Sequence, residues 1–278
     1  MFGVNPFSEL SASIAPMIMQ AYVILMIAAV IGGTVTDMIH KKNAKYFFEK
    51  SKKDKLNARR SVSSGEKVSL AVSTVANEVL TSGEFKNQER RISHLFTMYG
   101  FVIFVVATAV LIFGYPTSAD AGYWPILWHA GAISLAFGGY WFWFFIRVDV
   151  SSEGHKWYEI SRADIFIVSL LTTATFSLAW SATQGGSLGW LFFVLFILSS
   201  TSLFGTVMWS KFAHMFFKPA AAFQKKITRA DGSQENLPDL GDLSDPVIHA
   251  RYPDIPEYMG TNPPNMGLGI KRDKPTHF

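Results

Sequence analysis

The 278-residue chain has no cysteine. That excludes disulfides, cysteine-ligated zinc, iron–sulfur ligation by this chain and a thiol nucleophile. Charge is also scarce. Asp, Glu, Lys and Arg make up 17% of residues, where a soluble domain carries about a quarter. No nucleotide-binding loop, metalloprotease motif or nucleophile triad is present. The net charge of +4 is modest, and no nucleic-acid partner is expected.

What the chain has instead is apolar length. Five runs, 17–35, 92–113, 125–146, 163–183 and 188–209, approach the roughly 20 residues that span a bilayer. The first is not a signal peptide, because residues 1–16 hold no Lys or Arg for a basic leader region. The expected fold is all-α: an integral bundle of five transmembrane helices. Past the helix ends these runs contain no Asp, Glu, Lys or Arg. That disfavours an ion pump, a proton-coupled carrier or a voltage sensor. A carrier for a neutral solute stays open.

Lys and Arg set the orientation. Segment 36–91 carries 13 of them, 147–162 carries 3 and 210–278 carries 9, while 1–16, 114–124 and 184–187 carry none. By the positive-inside rule the amino terminus lies outside and the long polar segments are cytoplasmic. The chain then divides into an outer segment with span one (1–35), a basic cytoplasmic loop (36–91), a four-span bundle (92–214) and a cytoplasmic tail (215–278). Pro16 suits the first turn of span one. Within the basic loop, Ser61 to Gly65 breaks the helix that continues out of span one. Val68, Val72, Val75 and Val79 then recur at helical spacing, which predicts a short amphipathic helix capping the inner end of the bundle. Ser161 with Asp164 resembles a capping box at the start of span four. Gly131, Gly138 and Gly139 allow close helix approach. Residues 230–278 hold seven of the twelve prolines and read as an extended arm, with Tyr252, Tyr258, Met259 and Met266 as docking anchors.

The chemistry rests on histidines. His94 opens span two, His214 follows span five, and the charge pattern puts both at the inner face. Two imidazoles at matching depth on opposite-running helices suit the axial positions of a b-type haem. Arg90, Arg91, Lys211 and Lys218 stand near enough in sequence to take its propionates. The alternative is a pair of unrelated interfacial histidines. His129, one turn in from the outer surface, is either a helix-bonding histidine or a quinone contact. His155 and Trp157, in the loop before span four, are further quinone candidates.

Arg91-x-x-His94 and Lys211-Phe212-Ala213-His214 resemble the corresponding span ends of a broad family. It holds the membrane subunits of respiratory nitrate reductase, heterodisulfide reductase and the quinone-interacting oxidoreductase of sulfate reducers. Three stretches look closer still to the family of adenylylsulfate (APS) reductase membrane anchors of sulfur oxidisers: Lys211 through Lys226, Tyr252 through Gly260, and Pro263 through Arg272. The resemblance implies a non-catalytic anchor and electron-transfer subunit in a bacterial cytoplasmic membrane. It implies the flavin and iron–sulfur APS reductase as cytoplasmic partner, and quinone as electron acceptor. One departure matters. The two-haem relatives carry deeper histidines in spans two and five, and this chain has none there, so a single inner haem b is expected. The competing expectation is a haem-free scaffold.

Overall fold

The computed structural model describes residues 2–40, 43–83, 85, 87–147, 156, 158–161, 164–209, 214–233 and 245–251. Of residues 43–47, 214, 216 and 251 it describes the backbone alone. No strand occurs among the described residues. The helices are α1 (Pro6–Leu10), α2 (Pro16–His40), α3 (Asn43–Leu56), α4 (Ser64–Thr74), α5 (Gln88–Gly114), α6 (Trp124–Trp141), α7 (Ile165–Ala182), α8 (Ser187–Gly205), α9 (His214–Ala230) and α10 (Pro246–Arg251). π-Helical turns extend α4 over Val75–Leu80 and α6 over Phe142–Ile146.

Among the described residues four helices are long and apolar enough to cross a membrane: α2, α5, α7 and α8. The third expected span, α6, forms as a helix but does not reach that apolar threshold. The reason is compositional. His129, Gly131, Gly138, Gly139, Tyr140 and three tryptophans dilute its Ile and Leu. It is nonetheless the best-packed helix of the bundle. α5 lies along one side of it and α7 along the other.

Glycine sets the α5–α6 distance. A Cβ on Gly131 would stand 2.7 Å from the Phe104 amide nitrogen, and one on Gly138 would stand 2.6 Å from the Ser93 carbonyl oxygen. Backbone cannot yield as a flexible side chain can, so the two helices touch main chain to main chain. That closeness lets Ser93 Oγ donate to Gly138 O at 2.8 Å and Ser134 Oγ to Phe96 O at 2.9 Å. Gly139 meets the Leu171 side chain and admits α7 in the same way.

The half of the core at the Phe7 end is aromatic. Phe7, Phe104, Trp128, Trp180, Phe193 and Phe196 are buried against one another. The other half is aliphatic, with Leu135, Leu170, Ala174, Leu203 and Val207 packed together and Met215 of α9 against them. The short amino-terminal segment is a cap. Asn5, fully buried, donates through Nδ2 to Tyr115 O at 2.7 Å and Ser118 O at 3.0 Å, and its Oδ1 accepts from the Phe7 amide. Phe7 is thereby driven edge-on between Trp128 and Trp180. Helix α2 is peripheral. It is pinned by Tyr22 to Ser200 at 2.8 Å and leaves Ile18, Ile24, Leu25, Ile27, Ile31 and Val35 exposed. That face suits acyl chains.

Candidate functional site

The site forms where the π-helical turn after α4 meets the start of α5. Asn87 caps α5, its Oδ1 accepting from the amides of Glu89 at 2.9 Å and Arg90 at 3.3 Å. Below the cap, α5 receives three bonds with the preceding segment. Tyr99 Oη donates to Leu80 O at 2.7 Å, and Arg91 Nε donates to Thr81 O at 2.7 Å. Ser82 Oγ pairs with His94 Nδ1 at 2.9 Å.

Ser82 is the one described non-glycine residue with a positive φ, 49°. The left-handed region costs an L-residue about 1–2 kcal/mol. The surroundings hold it there. Its neighbour Gly83 donates to Asn77 O at 2.7 Å, and Ser82 itself is 1% exposed. The Ser82 hydroxyl at Nδ1 holds the orientation of the His94 ring.

Phe85 lies across the other side of His94, with ring centroids 4.9 Å apart. Two cations face the Phe85 ring. Arg90 Cζ is 5.6 Å and Lys218 Nζ 5.4 Å from its centroid. Lys218 belongs to the first turn of α9, which begins at His214. The structure therefore brings together His94, Arg90, Arg91, Lys218 and the backbone of His214 at one end of the bundle. It differs in how His214 is carried. His214 was expected to close span five, but α8 stops at Gly205 and His214 starts a separate amphipathic helix. The run loses helical continuity at Gly205-Thr206, where Thr206 leaves helical geometry and Thr206 Oγ1 turns back to Ser202 O. The His214 side chain and residues Lys211, His155, Trp157, Tyr252, Tyr258, Met259 and Met266 lie outside the described residues.

His129 is placed differently. It is 1% exposed, its Nδ1 bonds Pro125 O and its Nε2 bonds Ser181 Oγ, both at 2.7 Å. Trp128 and Phe2 pack edge-on against the ring. Both ring nitrogens are thus occupied, Nδ1 within α6 and Nε2 tying α6 to α7, and a quinone contact there requires one of these bonds to open. The groups gathered around Phe85 and His94 are imidazole and cation. Among the described residues no group of three or more His, Asp or Glu assembles for a metal ion.

One feature at the same end escaped the sequence. Arg147, just past the π-helical end of α6, forks onto both carboxylate oxygens of Asp164, with Nε to Oδ1 at 3.0 Å. It also covers the Trp143 ring at 4.2 Å. Ser161 and Asp164 do pair, the Ser161 amide and hydroxyl both donating to the Asp164 carboxylate at 2.8 Å, but not as the expected capping box, because the helix begins at Ile165 with Asp164 itself at the cap position. Burial pushes the Asp164 carboxyl upward, but the bonds from Arg147 and Ser161 outweigh it and hold it at about 2. The pair clamps the entry of α7 to the exit of α6.

Comparison of the chain with protein-family models, with curated proteins and with solved structures returned no match.

Proposed function

We propose that this chain is a membrane anchor and electron-transfer subunit. It holds a cytoplasmic redox enzyme at the bilayer and passes that enzyme's electrons toward quinone. The observation that carries the reading is the convergence of His94, Arg90, Arg91, Lys218 and the start of α9 at one end of an apolar bundle. The partner in this proposal is APS reductase, on the resemblance of Lys211 through Lys226, Tyr252 through Gly260 and Pro263 through Arg272 to the membrane anchors of that enzyme. The π-extended α6 serves as the fifth span, since 124–146 at about 1.5 Å per residue reaches about 35 Å. The Lys and Arg distribution supports a cytoplasmic His94 end, and the resemblance supports a bacterial inner membrane.

The residues fit a haem b. His94 is oriented through Nδ1 by Ser82, and Met98 and Phe101 follow on its face of α5. Arg90 and Lys218 supply positive charge where propionates would sit. When bound, the haem supplies one-electron transfer between the partner's clusters and quinone. The protein's own part is to orient the imidazole, to neutralise the propionates and to exclude water with the aliphatic inner core. Residues 230–278 grip the enzyme in this proposal.

Phe85 favours a second reading. Its ring packs tilted against His94 with centroids 4.9 Å apart, which fills space beside the imidazole as expected of a haem-free scaffold. The reduced absorbance spectrum of protein purified with its partner from haem-replete cells separates the two. The relay reading expects a sharp α band that His94→Ala and His214→Ala each abolish and His129→Ala leaves intact. A wild-type complex without haem leaves the scaffold.

A further inference from the structure

The helix α4 and its π-helical extension have two unlike sides. The polar side meets α9. Lys226 of α9 donates to Ser73 Oγ at 3.3 Å and pairs with Glu78 at 3.6 Å. Thr74 is buried beneath. The preceding loop is tied to the end of α9, with Arg60 Nε on Ala230 O at 2.6 Å and the Arg59 amide on Asp231 O at 2.8 Å. The opposite side is a bare apolar stripe. Val68 and Val72 are each 63% exposed, Val75 is 49% and Leu80 is 47%. At steps of four, three and five residues they share one helical face.

Three observations say what covers that stripe. The first is continuity. The stripe ends at Leu80, whose carbonyl takes the Tyr99 hydroxyl. Tyr99 belongs to the outward-facing row of α5 with Ile92, Phe96, Ile103 and Val106, all exposed. That row faces acyl chains in any embedding of α5. The valine stripe prolongs it sideways. The second is charge. Lys52, Lys53, Lys55, Arg59 and Lys67 are exposed on α3, on the following loop and at the start of α4, where anionic headgroups would meet them. The third is the occupied opposite face. With α9 on its polar side, α4 has only the stripe left to bury.

We infer that α4 and its π-helical extension form an in-plane membrane helix, seated in the leaflet at the His94 end with Val68, Val72, Val75 and Leu80 among the acyl chains. This revises the expectation that the segment caps the bundle from beneath, a position held by α9 through Met215. An amphipathic helix in this setting sits about 5–10 Å into the headgroup–acyl boundary. The inference rests on the bundle being membrane-embedded and is independent of the haem reading.

The absence of native cysteine makes the test clean. Single cysteines replace Val68, Val72 or Val75, with Val106→Cys as a deep-lipid reference and Ser61→Cys as an aqueous one. Each full-length variant is nitroxide-labelled and reconstituted into nanodiscs containing anionic lipid. Power-saturation electron paramagnetic resonance then compares collision with oxygen against collision with a water-soluble nickel chelate. The expected result at 68, 72 and 75 is oxygen-rich, nickel-poor collision, between the two references and nearer Val106. Nickel collision equal to that at Ser61 places the stripe in water and overturns the inference. Exclusion of both reagents places it under protein and overturns it equally. Loss of haem from any variant leaves this reading untouched, because the collision ratio does not depend on it.

Discussion

Replacing Gly131 by Ala tests the main-chain contact that sets the bundle. The added Cβ falls 2.7 Å from Phe104 N and 3.0 Å from Gly100 O. Ordinary contact begins near 3.4 Å, so α5 and α6 must part by about 0.7 Å. That separation stretches the Ser93–Gly138 and Ser134–Phe96 bonds from 2.8 and 2.9 Å to the edge of hydrogen bonding at about 3.5 Å. Overpacking alone costs about 1–3 kcal/mol, and interhelical bonds in membrane proteins average about 0.6 kcal/mol each. The expected loss is about 2–3 kcal/mol, or roughly 30- to 140-fold in the unfolding equilibrium. Gly32→Ala is the control. Nothing stands within 4 Å of a Cβ there, and Ala in place of a mid-helix Gly stabilises by about 0.5–1 kcal/mol. Reversible SDS unfolding in mixed micelles, followed by tryptophan fluorescence, reads both. Gly131→Ala unfolding at the wild-type midpoint, or Gly32→Ala losing as much, refutes the account of α5–α6 packing.

Two further perturbations act elsewhere. Asp164 titrates at about 2 in the folded protein and at about 3.9 unfolded. A depressed carboxylate stabilises above its unfolded value, so its contribution is complete above about pH 4 and disappears as pH falls toward 2. Asp164→Asn should therefore cost about 2 kcal/mol at pH 7, and its melting temperature should converge on the wild type as the pH is lowered. A constant gap across that range contradicts the pairing with Arg147. Asn5→Ala strands the carbonyls of Tyr115 and Ser118 and removes the cap on α1, at about 2 kcal/mol. Hydrogen exchange should quicken across residues 4–14 and leave the α5–α6 amides unchanged.

Long apolar runs need little context to become helices, and the expected runs coincide with α2, α5, α7 and α8 to within a few residues at most ends. Pro16 starts α2 as expected, and Gly131, Gly138 and Gly139 lie at helix contacts because a missing side chain is visible in sequence. The amphipathic period of Val68 to Val79 likewise produced α4 and its extension. Side chains that bond distant carbonyls leave no such mark. Asn5 reads as an ordinary polar residue, and its partners lie 110 and 113 positions away. The Arg147–Asp164 fork, across 17 residues and an irregular loop, has no periodic signature either. At the candidate site, His94, Arg90 and Lys218 announced themselves by type and position. Ser82 and Phe85 did not, because their roles come from a left-handed backbone and a turn that only the folded chain defines. The Ser82-Gly83 dipeptide was the available signal for that turn.

The amino-terminal cap also bears on the order in which the protein is made. Pro6 accepts a hydrogen bond from Gln184 Nε2, 178 residues further along the chain. At about 5–20 residues per second of synthesis, about 10–35 s separate the two from the ribosome. Throughout that interval Phe7 has no pocket, because Trp180 is still to be made. The segment around Phe7 thus locks only after Gln184 has been made. Contacts that form after the rate-limiting step leave the folding rate alone and slow unfolding. A segment that docks so late bears on the lifetime of the native state more than on the speed of its assembly.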